Sequence, residues 1–101
     1  MFEFLKRLFK RSNESVEQVL QKGAVILDVR SKSEFEEGHI AGSKNIPLNE
    51  IKLNTALIRN WNKPVITVCC SGSRSAQAKA VLQADGIDVY NGGAWTSLKI
   101  K

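Results

Sequence analysis

Two short apolar runs set the limits on what this chain can fold into. Val25-Ile26-Leu27 and Val65-Ile66-Thr67-Val68 are continuous and rich in β-branched residues. Neither alternates between apolar and polar, so each reads as a strand covered on both faces, as in a parallel sheet. Such a strand needs helices on both sides, and the intervening segments supply helical patterns.

Ser12, Asn13 and Ser15 offer caps for a helix through Gln21, with Val16, Val19 and Leu20 as its apolar stripe and Gly23 as its stop. Ser31 to Glu37 reads as one or two polar helical turns ended by Gly38. Lys44 to Ile46 reads as a brief strand, because the residue before Pro47 prefers extended geometry. Leu48 to Trp61 carries Ile51, Leu53, Leu57, Ile58 and Trp61 at mixed spacing and predicts one or two helical pieces, with Asn54 or Thr55 as an internal cap. Pro64 opens the second strong strand, where its missing N–H is tolerated. A helix is expected over Ser75 to Ala84, closed by Asp85-Gly86, then a last strand over Ile87 to Tyr90. Gly92-Gly93 reads as the start of a turn into a tail carrying Trp95. Strands alternate with helices and the connections are too long for hairpins, so the fold class is α/β, a mostly parallel sheet with helices on both faces.

With 101 residues, 43% of them hydrophobic, the chain is sized for one domain of modest core. Residues 1–14 are taken as a basic, apolar extension and 15–101 as the folded domain. Two cysteines adjacent in sequence cannot staple a fold, and no apolar stretch reaches the roughly 18 residues of a membrane span. A reduced, cytoplasmic monomer is expected. Its net charge of +5 lies at its two ends: residues 1–11 carry four cations against Glu3, Lys99 and Lys101 add two more, and the body between is neutral. No basic patch interleaved with aromatics is present in the pattern, so nucleic acid is not an expected partner. Phe2, Leu5, Leu8 and Phe9 fall at helical spacing among cations, a pattern that can lie on an anionic membrane surface. A terminal helix that packs on its own domain or frays is the simpler expectation.

Chemistry concentrates at Cys69, which ends the second apolar run and opens the turn Cys69-Cys70-Ser71-Gly72-Ser73-Arg74-Ser75 ahead of a helix. In open α/β sheets that strand-to-helix handover is where ligands bind. A free thiol titrates near about 8.5, whereas cysteines at helix N-termini or beside cations fall to roughly 3.5–7.5. A helix terminus alone contributes only about 0.3–1 kcal/mol, against about 1.36 kcal/mol for one pKa unit. Several donors are therefore required, and the turn amides with Arg74 are the candidates. Cys69 is expected to be a thiolate nucleophile. Arg30, at the carboxyl end of the first strong strand, either attracts an anionic substrate or pairs with Glu34. His39, the only histidine, fits a turn residue bonded to backbone, and Trp61 and Trp95 read as packing residues. With one histidine and no paired cysteine spacing, neither a metal site nor a cofactor is expected.

Leu27-Asp28-Val29-Arg30, Glu34-Phe35, Gly38-His39-Ile40-Ala41-Gly42-Ser43 and Asn45-Ile46-Pro47 resemble the first half of a rhodanese domain. The Cys69 to Ser75 turn is similar to that family's active-site loop, and Gly92-Gly93-Ala94-Trp95 to its closing glycine pair and tryptophan. The resemblance covers roughly residues 15–98 and implies a three-layer rhodanese-like fold and a small sulfurtransferase. Cys69 would then take the sulfane sulfur of thiosulfate or another persulfide donor and pass it to cyanide or a thiol, with a protein donor or acceptor also open. Cys70, Ser71, Gly72, Ser73, Arg74 and Ser75, with Arg30, would line the substrate site, the loop amides holding the persulfide charge as oxyanion-hole donors do. Cys70 itself reads as a passive loop residue, with substrate contact or resolution of the persulfide as its alternatives. The nearest enzymatic alternative is a phosphatase or arsenate reductase of the cell-cycle phosphatase type. Its loop is one residue longer, placing arginine at the seventh position from the cysteine, where this chain has Ser75. A noncatalytic binding module or sulfur carrier is the other alternative.

Overall fold

The computed structural model describes residues 15–98. The expectations for Ser12, Asn13, residues 1–11, Lys99 and Lys101 lie outside them. Ser15 opens α1 (Val16–Gln21) with a reciprocal cap, its hydroxyl accepting from the Gln18 N–H while the Gln18 side chain accepts from the Ser15 N–H. The chain then runs through β1 (Val25–Asp28), α2 (Lys32–Glu37), β2 (Lys44–Asn45) and α3 (Leu48–Ile51). A 3-10 turn (Lys52–Asn54) leads into α4 (Thr55–Arg59), β3 (Val65–Cys69), α5 (Ser73–Ala84) and β4 (Val89–Ala94).

Among the described residues the four strands are all parallel, in the order β2-β1-β3-β4. The two apolar runs form the central strands, as their burial requires. Alternate residues divide the core between the two faces. Leu27, Val65 and Cys69 face Ile51, Ile58, Ala78 and Leu82 of α3, α4 and α5. Ile26, Ile66 and Val68 face the other way, onto Val19 of α1 with Tyr90 and Trp95. The sheet is thus covered on both sides, and among the described residues no helix is long and apolar enough to cross a membrane.

Three details differ from the sequence reading. Asn54 stands where α4 begins, yet its side chain makes no cap and donates back to the Glu50 carbonyl at 2.8 Å. Helix α5 starts at Ser73, two residues ahead of the expected Ser75, because Gly72 takes a left-handed φ of 95° and turns the chain directly into it. Gly92-Gly93 does not begin a turn. Strand β4 continues through both glycines, with a bulge at which Thr67 pairs with Asn91 and Val68 with Gly93. Gly92 is the extra residue, and it lies so close to β3 that a Cβ there would meet Ile66 Cγ2 at 2.8 Å and Val68 Cγ1 at 3.0 Å. A glycine pair signals a turn locally, but close approach of two strands demands the same residue.

Candidate active site

Cys69 is the last residue of β3, and its side chain follows Val65 and Thr67 onto the α5 face. Its backbone is clamped on the β4 side, where Trp95 N–H donates to the Cys69 carbonyl at 2.8 Å. On the other side the Thr67 hydroxyl donates to the Ser75 carbonyl at 2.9 Å and fixes the first turn of α5 against β3. The loop between them curls over the sulfur. Gly72 N–H reaches Sγ at 3.0 Å and Ser75 N–H at 3.3 Å, with Ser75 Oγ at 3.4 Å. Cys69 is 1% exposed.

Burial is the largest single influence on this thiol and pushes its pKa up. The Ser75 hydroxyl and the amides of Ser75, Ser71 and Gly72 together pull harder, so the group ionises below its ordinary value. Of the amides expected from the turn, Gly72 makes the shortest bond, and Ser75 contributes its N–H as well as its hydroxyl. Ser71 on the loop and Ser73 at the start of α5 are exposed.

Arg74, expected to add its charge at the sulfur, commits its guanidinium to Glu34 instead. Its two terminal nitrogens grip the Glu34 carboxylate of α2 at 2.8 and 3.0 Å, and this contact is the main reason its pKa rises. Glu34 in turn sits well below the usual carboxylate range, chiefly through Arg74, then through the Ser31 N–H, Cys70 and the Ser31 hydroxyl. It also completes the cap of α2 with Ser31. Cys70 is exposed, and its thiol donates to Glu34 Oε2 at 3.3 Å. Both cysteines are free thiols.

Arg30 is placed differently from either sequence expectation. It is buried at 4% exposure, and Nε and Nη2 clasp the Asp28 carboxylate at 2.7–3.0 Å. Nη2 also donates to the Gly38 carbonyl at 2.7 Å and Nη1 to the Glu34 carbonyl at 3.3 Å, and the guanidinium lies over the Trp95 ring at 4.5 Å. The partner on α2 is thus the Glu34 backbone and not its side chain, which Arg74 holds. A guanidinium with its donors occupied in this way acts as a brace beneath the site. His39 stacks on Phe35 and its Nδ1–H donates to the Phe35 carbonyl at 2.7 Å, the backbone role expected of it. Trp61 and Trp95 pack against the two core clusters, also as expected.

Asn91 of β4 was not singled out by the sequence. Its Oδ1 accepts from the Ser75 hydroxyl at 2.6 Å and from Gly93 N–H at 2.9 Å, and its Nδ2 donates to the Gly72 carbonyl at 3.3 Å. A polar residue just ahead of a glycine pair, at the carboxyl end of a strand beside Cys69, was the available signal.

A buried sulfur ringed by N–H donors at the carboxyl edge of a parallel sheet is a site built for an anion on sulfur. The family model for the rhodanese-like domain matches residues 12–96. This chain belongs to the rhodanese-like domain family. Among its relatives is the Bacillus subtilis protein YqhL, 35% identical over 91 residues that cover 89% of this chain and 71% of that one. The thiosulfate sulfurtransferase GlpE of Pseudomonas putida is 34% identical over 88 residues, covering 82% of this chain and 77% of GlpE. Among solved structures, the rhodanese-like domain protein of Staphylococcus aureus is 37% identical, with a TM-score of 0.62 over 93% of this chain and 91% of that one. Against other curated relatives the chain spans 56% of their length. The three-layer rhodanese-like fold is accordingly the fold of this chain.

Proposed function

We propose that this rhodanese domain is a sulfurtransferase in which Cys69 carries the sulfur as a persulfide. In the first step the Cys69 thiolate attacks the outer sulfur of thiosulfate; a Cys69 S–S bond forms, the sulfur–sulfur bond of thiosulfate breaks, and sulfite leaves with the bonding pair. In the second, cyanide or an acceptor thiolate attacks the outer sulfur of the persulfide and Cys69 leaves as thiolate, giving thiocyanate or a new persulfide. Neither step needs a strong general acid, because both leaving groups are stable anions. A covalent intermediate implies ping-pong kinetics.

The observation that carries this reading is the ring of donors on Cys69 Sγ, with Gly72 N–H at 3.0 Å and Ser75 N–H at 3.3 Å. Such donors stabilise the resting thiolate and the same atom as it is expelled in the second step. The likeness to GlpE supports thiosulfate as a donor, and the exposure of Cys70, Ser71 and Ser73 leaves room for a protein donor or acceptor.

The test is intact mass after incubation with thiosulfate. The wild-type chain should gain one sulfur atom and Cys69→Ser none. No gain with any sulfane donor would end the enzyme reading, and turnover of an aryl phosphate without thiosulfate turnover would favour the phosphatase alternative.

A further inference from the structure

The Ser75 hydroxyl stands between two acceptors and has one proton to give. Its oxygen is 3.4 Å from Cys69 Sγ and 2.6 Å from Asn91 Oδ1. Two other bonds fix the Asn91 amide: Gly93 N–H donates to Oδ1 at 2.9 Å, and Nδ2 donates to the Gly72 carbonyl at 3.3 Å. Turning the amide over would set its NH2 against the Gly93 N–H and its oxygen against the Gly72 carbonyl, converting both attractions to repulsions. With Oδ1 facing Ser75, the hydroxyl donates to it and offers only a lone pair to the sulfur. A protonated Cys69 fits that arrangement, since the thiol donates to Ser75 Oγ. A thiolate keeps the Gly72 and Ser75 amides but gains the hydroxyl's bond only when the hydroxyl rotates, which strips Asn91 Oδ1 of its shortest bond and leaves it with Gly93 N–H alone.

We propose that Asn91 is a positioning residue that competes with the Cys69 sulfur for the Ser75 proton, so that ionisation of the nucleophile is coupled to rotation of this hydroxyl. The functional weight of the proposal rests on Cys69 being the sulfur-accepting nucleophile; the geometry does not. Asn91 also ties β4 to the Cys69 loop through the Gly72 carbonyl, so the residue that contests the proton is the one that holds the cradle in place. Among the described residues, the charged groups around Cys69 are Arg74 of α5 with its partner Glu34 of α2, and the Asp28–Arg30 pair at the end of β1, with Cys70 as the neighbouring thiol. Each ion pair is internally neutral. On β4, Tyr90 packs on the opposite face of the sheet, with the α1 cluster.

The test is the rate of Cys69 alkylation by neutral iodoacetamide against pH, with Cys70→Ser throughout so that one thiol reacts. Asn91→Leu, Ser75→Ala and their combination complete a double-mutant cycle. Asn91→Leu frees the hydroxyl for the thiolate, so the midpoint should fall and the thiolate fraction on the rising limb should grow at least about threefold, as a charge-assisted hydrogen bond allows. In the Ser75→Ala background the same substitution should move nothing, since no proton is left to contest. Asn91→Asp, which keeps the acceptor, should hold the midpoint at or above its parent value. Equal shifts in both backgrounds would make Asn91 a loop tether only, and that result, no shift in either, or a fall with Asn91→Asp would overturn the proposal. Alkylation needs no sulfur transfer, so failure of the sulfurtransferase reading would register separately, as no gain of mass with thiosulfate.

Discussion

At the scale of the residue, the site is governed by where single protons and charges are committed. Arg74, two residues into α5, would be out of place at a helix N-terminus without an anion to meet it, and Glu34 is that anion. Their pairing leaves the mouth of the site close to neutral. Glu34→Gln keeps a side chain able to complete the α2 cap but releases the Arg74 charge. At roughly 8 Å through water a unit charge is worth about 0.5 kcal/mol, so loading from dianionic thiosulfate should quicken about two- to fivefold at low salt, and the gain should fade as salt rises. Slower loading would show instead that Glu34 is needed to aim Arg74. The same pair predicts a pH response. The Glu34 pKa is depressed in the fold, so the stability it lends is fully present above the ordinary carboxylate range and is lost as pH falls through the folded value. Acid titration of the melting temperature should therefore show a steeper fall below about pH 4 in wild type than in Glu34→Gln.

At the scale of the element, β4 shows where local sequence signals stop. The two strong runs, the helix after Cys69 and the brief β2 were legible because each is decided by burial or by a neighbouring proline. Strand β4 was legible only to Tyr90: Asn91-Gly92-Gly93 has the composition of a turn, and what overrides it is contact with β3, a partner distant in sequence. That same hidden stretch supplies Asn91 to the site. Gly92→Ala tests the packing. Its Cβ would fall 2.8 Å from Ile66 Cγ2 and 3.1 Å from the Thr67 carbonyl, both in a closely packed strand, so something must shift. The expected cost is about 1–3 kcal/mol in denaturant unfolding, with Cys69 alkylation also altered because Asn91 and Gly93 move with the strand. A fully stable Gly92→Ala protein would mean that the bulge relaxes freely.

Across the whole molecule, one buried ion pair joins the parts that make the site. Asp28 ends β1, and Arg30 reaches from it to the carbonyls of Glu34 and Gly38 at α2 and to the ring of Trp95 beyond β4. The sequence placed Arg30 at the right edge of the sheet, and its partner was two residues away, but no periodicity tells which way a long side chain turns. Arg30→Met leaves the buried Asp28 carboxylate without its cation, although the residue-30 N–H still donates to it, which should destabilise the domain by about 3–5 kcal/mol, a large share of the roughly 5–15 kcal/mol such domains possess. Sulfur loading per folded molecule should change little; a sharp fall in loading without loss of stability would return Arg30 to the role of substrate ligand. Burial of Cys69 at 1% exposure has a consequence for traffic through the site. A sulfur–sulfur bond is about 2 Å long, so in the proposed cycle the passenger atom stands that much farther out than its anchor. A bulky acceptor needs to reach only the passenger, while large electrophiles and oxidants are kept from the empty anchor by the same roof of backbone.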